Sequence, residues 1–252
     1  MLTGYIWVLN KQGLWMEALE HGRRVLLLAD RVGCNTCFSY IDMGLAEIEA
    51  KLGHREQSQR HIESALAVIS QLPAPQVQAI RWRFFGHVFL EEWKDAWTVV
   101  EEARAMAYPD IATTPFARFN WSIMLPEAAA RARQWSEAER LAGETLAFFE
   151  RQGSPLGVAS SHFALGLTHT GQQKWDEALT EYQQALEGFQ TLGHPWDTAN
   201  TQYEMGLVHA ARLGERDKDK ARQYFEEALS AFSALGAKPG IEKVEKELGK
   251  LK

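Results

Sequence analysis

Two cysteines in 252 residues leave nothing from which to build a disulfide framework. No run of about 18 consecutive apolar residues occurs, so no membrane-spanning helix is expected. The apolar stretch Tyr5-Ile6-Trp7-Val8-Leu9 has no basic flank before it and does not read as a secretory signal. Basic residues are the minority: 27 Lys+Arg against 33 Asp+Glu give a formal net charge of −6. A nucleic-acid binder needs a basic face to neutralise phosphates, so nucleic acid is not an expected partner. Strand-like alternation is almost absent, which points to an all-α chain. What remains is a 46% apolar composition with nine tryptophans, enough apolar material to bury a core at this length.

The tryptophans and prolines recur with a period near forty. Pro75, Pro115, Pro155 and Pro195 are each 40 residues apart, and each precedes a run with helical character. Proline suits the first helical turn, where its missing N–H had no partner anyway. Gly33, Gly153, Gly193 and Gly236 close helical runs, as residues that adopt a left-handed conformation do. Trp15-Met-Glu-Ala18, Trp93-Lys-Asp-Ala96, Trp135-Ser-Glu-Ala138 and Trp175-Asp-Glu-Ala178 share one pattern. Adding Ser58 and Ala221 gives six anchors, Ala18, Ser58, Ala96, Ala138, Ala178 and Ala221, spaced 40, 38, 42, 40 and 43 apart. Small residues at i and i+7, as in Ala178 and Ala185, lie on one helix face and let a second helix approach. A glycine in that second helix marks close backbone approach, with the turn aromatic filling the space between the two.

Leu165-Gly166, Ala178, Tyr182 and Ala185 carry the spacing of a tetratricopeptide repeat, a family this chain resembles. Met205-Gly206, Ala221, Phe225 and Ala228 repeat it with an insertion. The longer period resembles the arrays of bacterial maltose-regulator-type activators and the C-terminal arrays of signalling ATPases and cyclases. The resemblance implies one array of six antiparallel helix pairs, wound as a right-handed superhelical solenoid. The repeats are placed at 1–33, 34–72, 73–110, 111–153, 154–193 and 194–236, with a capping helix over 238–251. Three departures stand out. Pro126 occupies the glycine slot of the fourth unit and is expected to kink or shorten its helix. Gly86 comes two residues late, and the first unit lacks the Leu-Gly pair. The capping helix has an apolar face of Ile241, Val244, Leu248 and Leu251 and a charged opposite face. The N-terminal end has no such cap, so it is expected to continue upstream or to pair with a second copy of the chain.

Candidate chemistry is sparse. Cys34-Asn-Thr-Cys37 is a Cys-x-x-Cys pair, a spacing used in redox and zinc sites. It falls where other units begin a helix, so a structural role is expected, with Asn35 or Thr36 as N-cap. His169 and His209, 40 apart, occupy a packing position. Glu91-Glu92 and Glu101-Glu102 read as solvated helix faces. Phosphate-loop, Gly-x-Ser-x-Gly and His-Glu-x-x-His patterns are missing. The expectation is therefore no enzyme, no cofactor and no metal. By resemblance, the inner surface is lined by first-helix positions one turn apart: Asn120, Ser160 and Asn200, then Ile123, Phe163 and Tyr203, with Arg131 and, if Gly86 takes the glycine slot, Arg83. Amides, rings and arginines suit an extended peptide. The expected function is a non-catalytic protein- or peptide-binding scaffold, the sensor or assembly arm of a larger cytoplasmic regulatory protein of bacteria. The alternative is a receptor that holds a small-molecule effector in the groove.

Overall fold

A computed structural model describes the backbone of residues 2–70, 75–106, 115–212 and 215–251, with the side chains of 4–70, 78–106, 121–212 and 217–251. Thirteen helices and no strand occur among the described residues. They are α1 (Leu2–Lys11), α2 (Trp15–Val32), α3 (Asn35–Lys51), α4 (Arg55–Ile69), α5 (Pro75–Phe89), α6 (Trp93–Ala105), α7 (Pro115–Arg131), α8 (Trp135–Gln152), α9 (Pro155–Gly171), α10 (Trp175–Leu192), α11 (Pro195–Arg212), α12 (Glu215–Leu235) and α13 (Lys238–Lys250). The chain forms two compact units, Met1–Ile111 and Ala112–Lys252. The first holds the hairpins α1–α2, α3–α4 and α5–α6. The second holds α7–α8, α9–α10 and α11–α12, followed by α13. No described helix is long and apolar enough to cross a membrane.

Helix starts and stops follow from local chemistry. Pro155 opens α9, and the Ser154 hydroxyl accepts a hydrogen bond from the Gly157 N–H at 3.4 Å, satisfying one orphan donor of the first turn. Gly33, Gly153, Gly193 and Gly236 are left-handed, with φ of 61–68°. Each lets the next N–H reach back five residues, as His194 does to the Phe189 carbonyl at 3.0 Å. The same device closes the turn inside each of the first five hairpins. Gly13, Gly53, Glu91, Arg133 and Gln173 all have positive φ, and each lies five residues before its anchor. The next residues return hydrogen bonds of 2.8–2.9 Å to the carbonyls of Leu9, Glu49, His87, Ala129 and His169. Glycine supplies only two of these five turns, so glycine counting missed the pattern.

All six anchors, Ala18, Ser58, Ala96, Ala138, Ala178 and Ala221, are fully buried. The helix-A glycines do not meet backbone as expected. Gly166 presses on the Tyr182 ring and Gly206 on the Phe225 ring, where an added Cβ would lie 2.5 Å from ring carbons. The turn tryptophans also reach further than their own hairpin. Trp135 packs on Gly171 at the end of α9, and Trp15 lies 5.9 Å from Lys51 Nζ of α3 while its indole donates to the Asn10 carbonyl. These two rings tie the first hairpin to the second and the fourth to the fifth. Pro126 does not shorten α7, which runs 17 residues, the same length as α9. One missing backbone donor toward the Ser122 carbonyl is borne by a helix whose remaining ladder and packing persist.

At the C-terminal end, α13 buries Val244 and sets Gly240 on the Phe232 ring, with Glu242, Glu245 and Lys246 exposed. The N-terminal hairpin is different. Seven of the eight exposed large apolar side chains among the described residues lie in α1, α2 or their turn, from Tyr5 to Val32. The Cys34–Cys37 pair is joined as a disulfide, and Cys34, rather than Asn35 or Thr36, is the N-cap of α3. Because it spans one helical turn, the bond cross-links no distant elements.

The left-handed turns give a two-sided test. Gly193→Ala adds a methyl with nothing within 4 Å, so only backbone strain opposes it, and stability should fall by about 1 kcal/mol. Gln173→Gly should raise stability by up to about 1 kcal/mol by the same argument. Urea titrations that show both variants unchanged would contradict this account.

Candidate ligand-binding face

In the second unit, the first helices of successive hairpins are α7, α9 and α11. Arg131 is the last residue of α7, Phe163 sits mid-α9, and Glu204 lies in α11. Arg131 Nη1 donates to Glu204 Oε1 at 2.7 Å, and its Nε lies 3.5 Å from Glu127 Oε1 one turn earlier. The guanidinium lies 5.9 Å from the centroid of the Phe163 ring. Arg131 therefore reaches across the intervening α9 to a carboxylate 73 residues away. Two of the residues singled out by spacing, Arg131 and Phe163, meet here. Glu127 and Glu204 were not foreseen; only Glu127 carried a signal, as an acid one turn before Arg131.

Burial works against the charge on Arg131, but Glu204 and Glu127 outweigh it and hold the guanidinium well above its ordinary pKa. Burial also pushes the Glu127 carboxyl up; Arg131 opposes this, while Asp197 and Glu204 add to it. The Tyr182 hydroxyl beneath the cluster is raised by burial and by Glu204. Two carboxylates, Glu127 and Glu204, thus hold one guanidinium in this face, and Asp197 acts on Glu127.

The other expected residues are placed as follows. Ser160, Ile123, Asn200 and Tyr203 are half-buried. Asn200 Nδ2 donates to the Trp196 carbonyl of its own helix at 2.9 Å, and the Tyr203 ring lies 5.9 Å from that of Phe225. The side chain of Asn120 is outside the described residues. Arg83 belongs to the first unit and points to its own hairpin partner, with Nη1 and Nη2 donating to Glu102 at 2.7 and 3.3 Å. That bond holds the Glu102 carboxyl below its ordinary pKa. Gly86 presses on Ile62 of the preceding α4, whereas Gly166 and Gly206 press on rings of their own hairpins. The register of the third hairpin therefore runs from its anchor. Fifteen residues before Ala96 stands Arg81, as Phe163 stands before Ala178.

Histidines lie against carboxylates in both units. His61 and Ser64 both bond Asp42, at 2.7 and 2.6 Å, so the serine hydroxyl donates to the acid and not to the imidazole. His162 bonds Glu181 at 2.6 Å, and His209, nearly buried, bonds Asp217 at 2.8 Å. His87, Glu92 and Asp95 offer ligand atoms within 4.8 Å of one another. Arg55 already pairs with Glu92 there, placing a fixed cation in the cluster. Glu92 and Glu102 are thus ion-paired, not merely solvated.

Hairpins locked ring-on-glycine and stacked through their turn tryptophans define a helical-repeat protein. Residues 157–234 match the family described as Tetratricopeptide repeat. A crystal structure of Rap protein complexed with competence and sporulation factor is similar over 99% of this chain and 69% of that one, with 13% identity and a TM-score of 0.75. BtubC (BKLC) from P. vanneervenii is similar over 90% of this chain and 92% of that one, with 20% identity and a TM-score of 0.51. No curated protein matches the chain. The chain has the fold of a helical-repeat array, with a tetratricopeptide-repeat match over residues 157–234.

Two variants test the charge cluster. Arg131→Met leaves the Glu204 carboxylate, 3% exposed, without its guanidinium, and should cost about 3–5 kcal/mol. Adding Glu204→Gln should recover most of that loss; equal single and double losses would show that the pair is not coupled. For Glu127 the raised folded-state pKa sets the sign. Its contribution is full below the ordinary glutamate range and is lost as pH rises through the raised value. The Tm of Glu127→Gln should match wild type at the acid end and exceed it increasingly toward neutral pH. A constant offset at all pH values would refute the assignment.

Proposed function

We propose that this chain is a non-catalytic scaffold that binds a protein or an extended peptide through the first-helix faces of its hairpins, as the sensor or assembly arm of a larger cytoplasmic regulator. One observation carries the reading: α7, α9 and α11 present Arg131, Phe163 and Glu204 as a single charge-and-ring array, flanked by half-buried Ser160, Asn200 and Tyr203. Fixed charges over an apolar ring suit a segment with alternating polar and apolar groups, because each satisfied contact is oriented by a helix rather than a loop. The tetratricopeptide match over 157–234 covers the α9 and α11 part of this face, with Phe163 and Glu204. The Rap protein of similar fold is, by its description, complexed with a factor, which supports a ligand-holding role for such an array. The exposed apolar α1–α2 end supports a further protein contact there, with a second copy or with another helical element.

The face is tested with Asn200→Ala and Tyr203→Ala in tryptophan-fluorescence titrations against peptide libraries, sugars and nucleotides. Loss of peptide binding by about tenfold at nearly unchanged Tm is expected. Saturable binding of a sugar or nucleotide with no peptide response would replace the peptide with a small effector. Unfolding of both variants would place these side chains in the core and remove the face as a binding surface.

A further inference from the structure

Arg81 is the most voluminous of the fully buried side chains, 2% exposed, and no carboxylate among the described residues pairs with it. Its Nη1 donates to Gln78 Oε1 at 2.9 Å, an uncharged acceptor one turn earlier. Its Nε is buried without an acceptor. Two neighbours share this condition: the Gln78 Nε2 and Trp82 Nε1 donors are also buried without acceptors. The three residues occupy i, i+3 and i+4 of α5 and so share one helical face. The Arg81 guanidinium lies 5.4 Å from the Trp82 ring centroid, and that ring meets Tyr40 of α3 edge-on at 4.8 Å.

The other arginines of the first-helix faces show how unusual this is. Arg131, 25% exposed, is held by two glutamates, and Arg83, 41% exposed, by Glu102. The most deeply buried of the three has no anion among the described residues. A buried cation without a counter-charge is among the costlier arrangements in a protein interior, and buried donors without acceptors add to that cost. One kind of group removes both deficits. An oxyanion can accept from a guanidinium fork, an indole N–H or an amide N–H, since each of its oxygens carries several lone pairs and none has a hydrogen to misplace. A neutral ligand would satisfy donors but leave the charge.

We propose that Gln78, Arg81 and Trp82 form an oxyanion-binding site in the first unit, which takes a carboxylate or phosphate group of a ligand. It stands apart from the reading of the second-unit face: either can hold without the other. The test uses the full chain, with sodium acetate and sodium phosphate as probes and sodium chloride at matched ionic strength as the control. Tm and tryptophan fluorescence are read against anion concentration. Wild type should show a saturable Tm rise with acetate, with phosphate or with both, beyond the chloride control. Acetate alone marks a carboxylate ligand, phosphate alone a phosphate-bearing one, and both mark the oxyanion class. Arg81→Met should weaken the response by roughly tenfold or more. Gln78→Glu places a carboxylate on the chain beside Arg81, so it should raise the Tm without added anion and weaken the response by a similar factor. If Arg81→Met does not fold, Gln78→Glu decides. No response of wild type beyond chloride, or a response kept in a folded variant, overturns the site.

Discussion

The close contact between a bare Cα on one helix and an aromatic ring on its partner governs the second unit, and aliphatic side chains take the place of the ring in the first. Gly166 against Tyr182 and Gly206 against Phe225 leave no room for a methyl group, and the fully buried alanines Ala178 and Ala185, Ala221 and Ala228 complete the same seam. Dispersion and apolar burial act at such a seam over many atoms at once, so the interhelical spacing is set by the smallest side chains on it. Once that spacing is fixed, the next hairpin meets a surface of defined shape. Gly157 settles on Phe149, Gly171 on Trp135 and Gly240 on Phe232, each a repetition of the same contact between neighbours rather than within a hairpin. A repeat architecture needs both versions, because a single hairpin does not bury enough surface to offset its ordering entropy.

Charge is arranged within that geometry. Residues 19 apart face each other across a hairpin, and the chain uses the relation with either polarity. Asp42 takes His61, and His162 takes Glu181. Arg83 and Glu102 use the same separation one turn along. These pairs hold helices that the apolar seam has already brought together, and the exposed ones contribute little energy. Arg131 and Glu204 differ in kind. They join first helices two hairpins apart, over the Phe163 ring, and with Glu127 set two carboxylates against one cation. Such a cluster is a poor source of stability, since each charge loses its hydration before it gains a partner.

Much of the candidate face was legible because repeats copy position as well as fold. Counting back from Ala178 finds Phe163, and Arg131 stood out as a cation at the end of a first helix. The count failed in the third hairpin, where Gly86 suggested a register that placed Arg83 inward. Gly86 answers to Ile62 of the preceding hairpin, so a glycine in this fold marks a contact without saying with which neighbour. Glu204 was illegible for a related reason. Its partner lies 73 residues away, and no local pattern announces a pair that spans an intervening hairpin.

By itself, the sequence determined that the chain is helical, where its hairpins turn and which small residues line their seams. Those features depend on interactions within a few turns, and a forty-residue period displays them several times over. The tertiary structure alone decided which charges would be neutralised. Arg131 meets Glu204 of α11, whereas Arg81 is closed in with no carboxylate among the described residues. Both are arginines on first helices, and although Arg131 has an acid one turn before it, its long-range partner depends on the helices packed around it, which is a property of the stack.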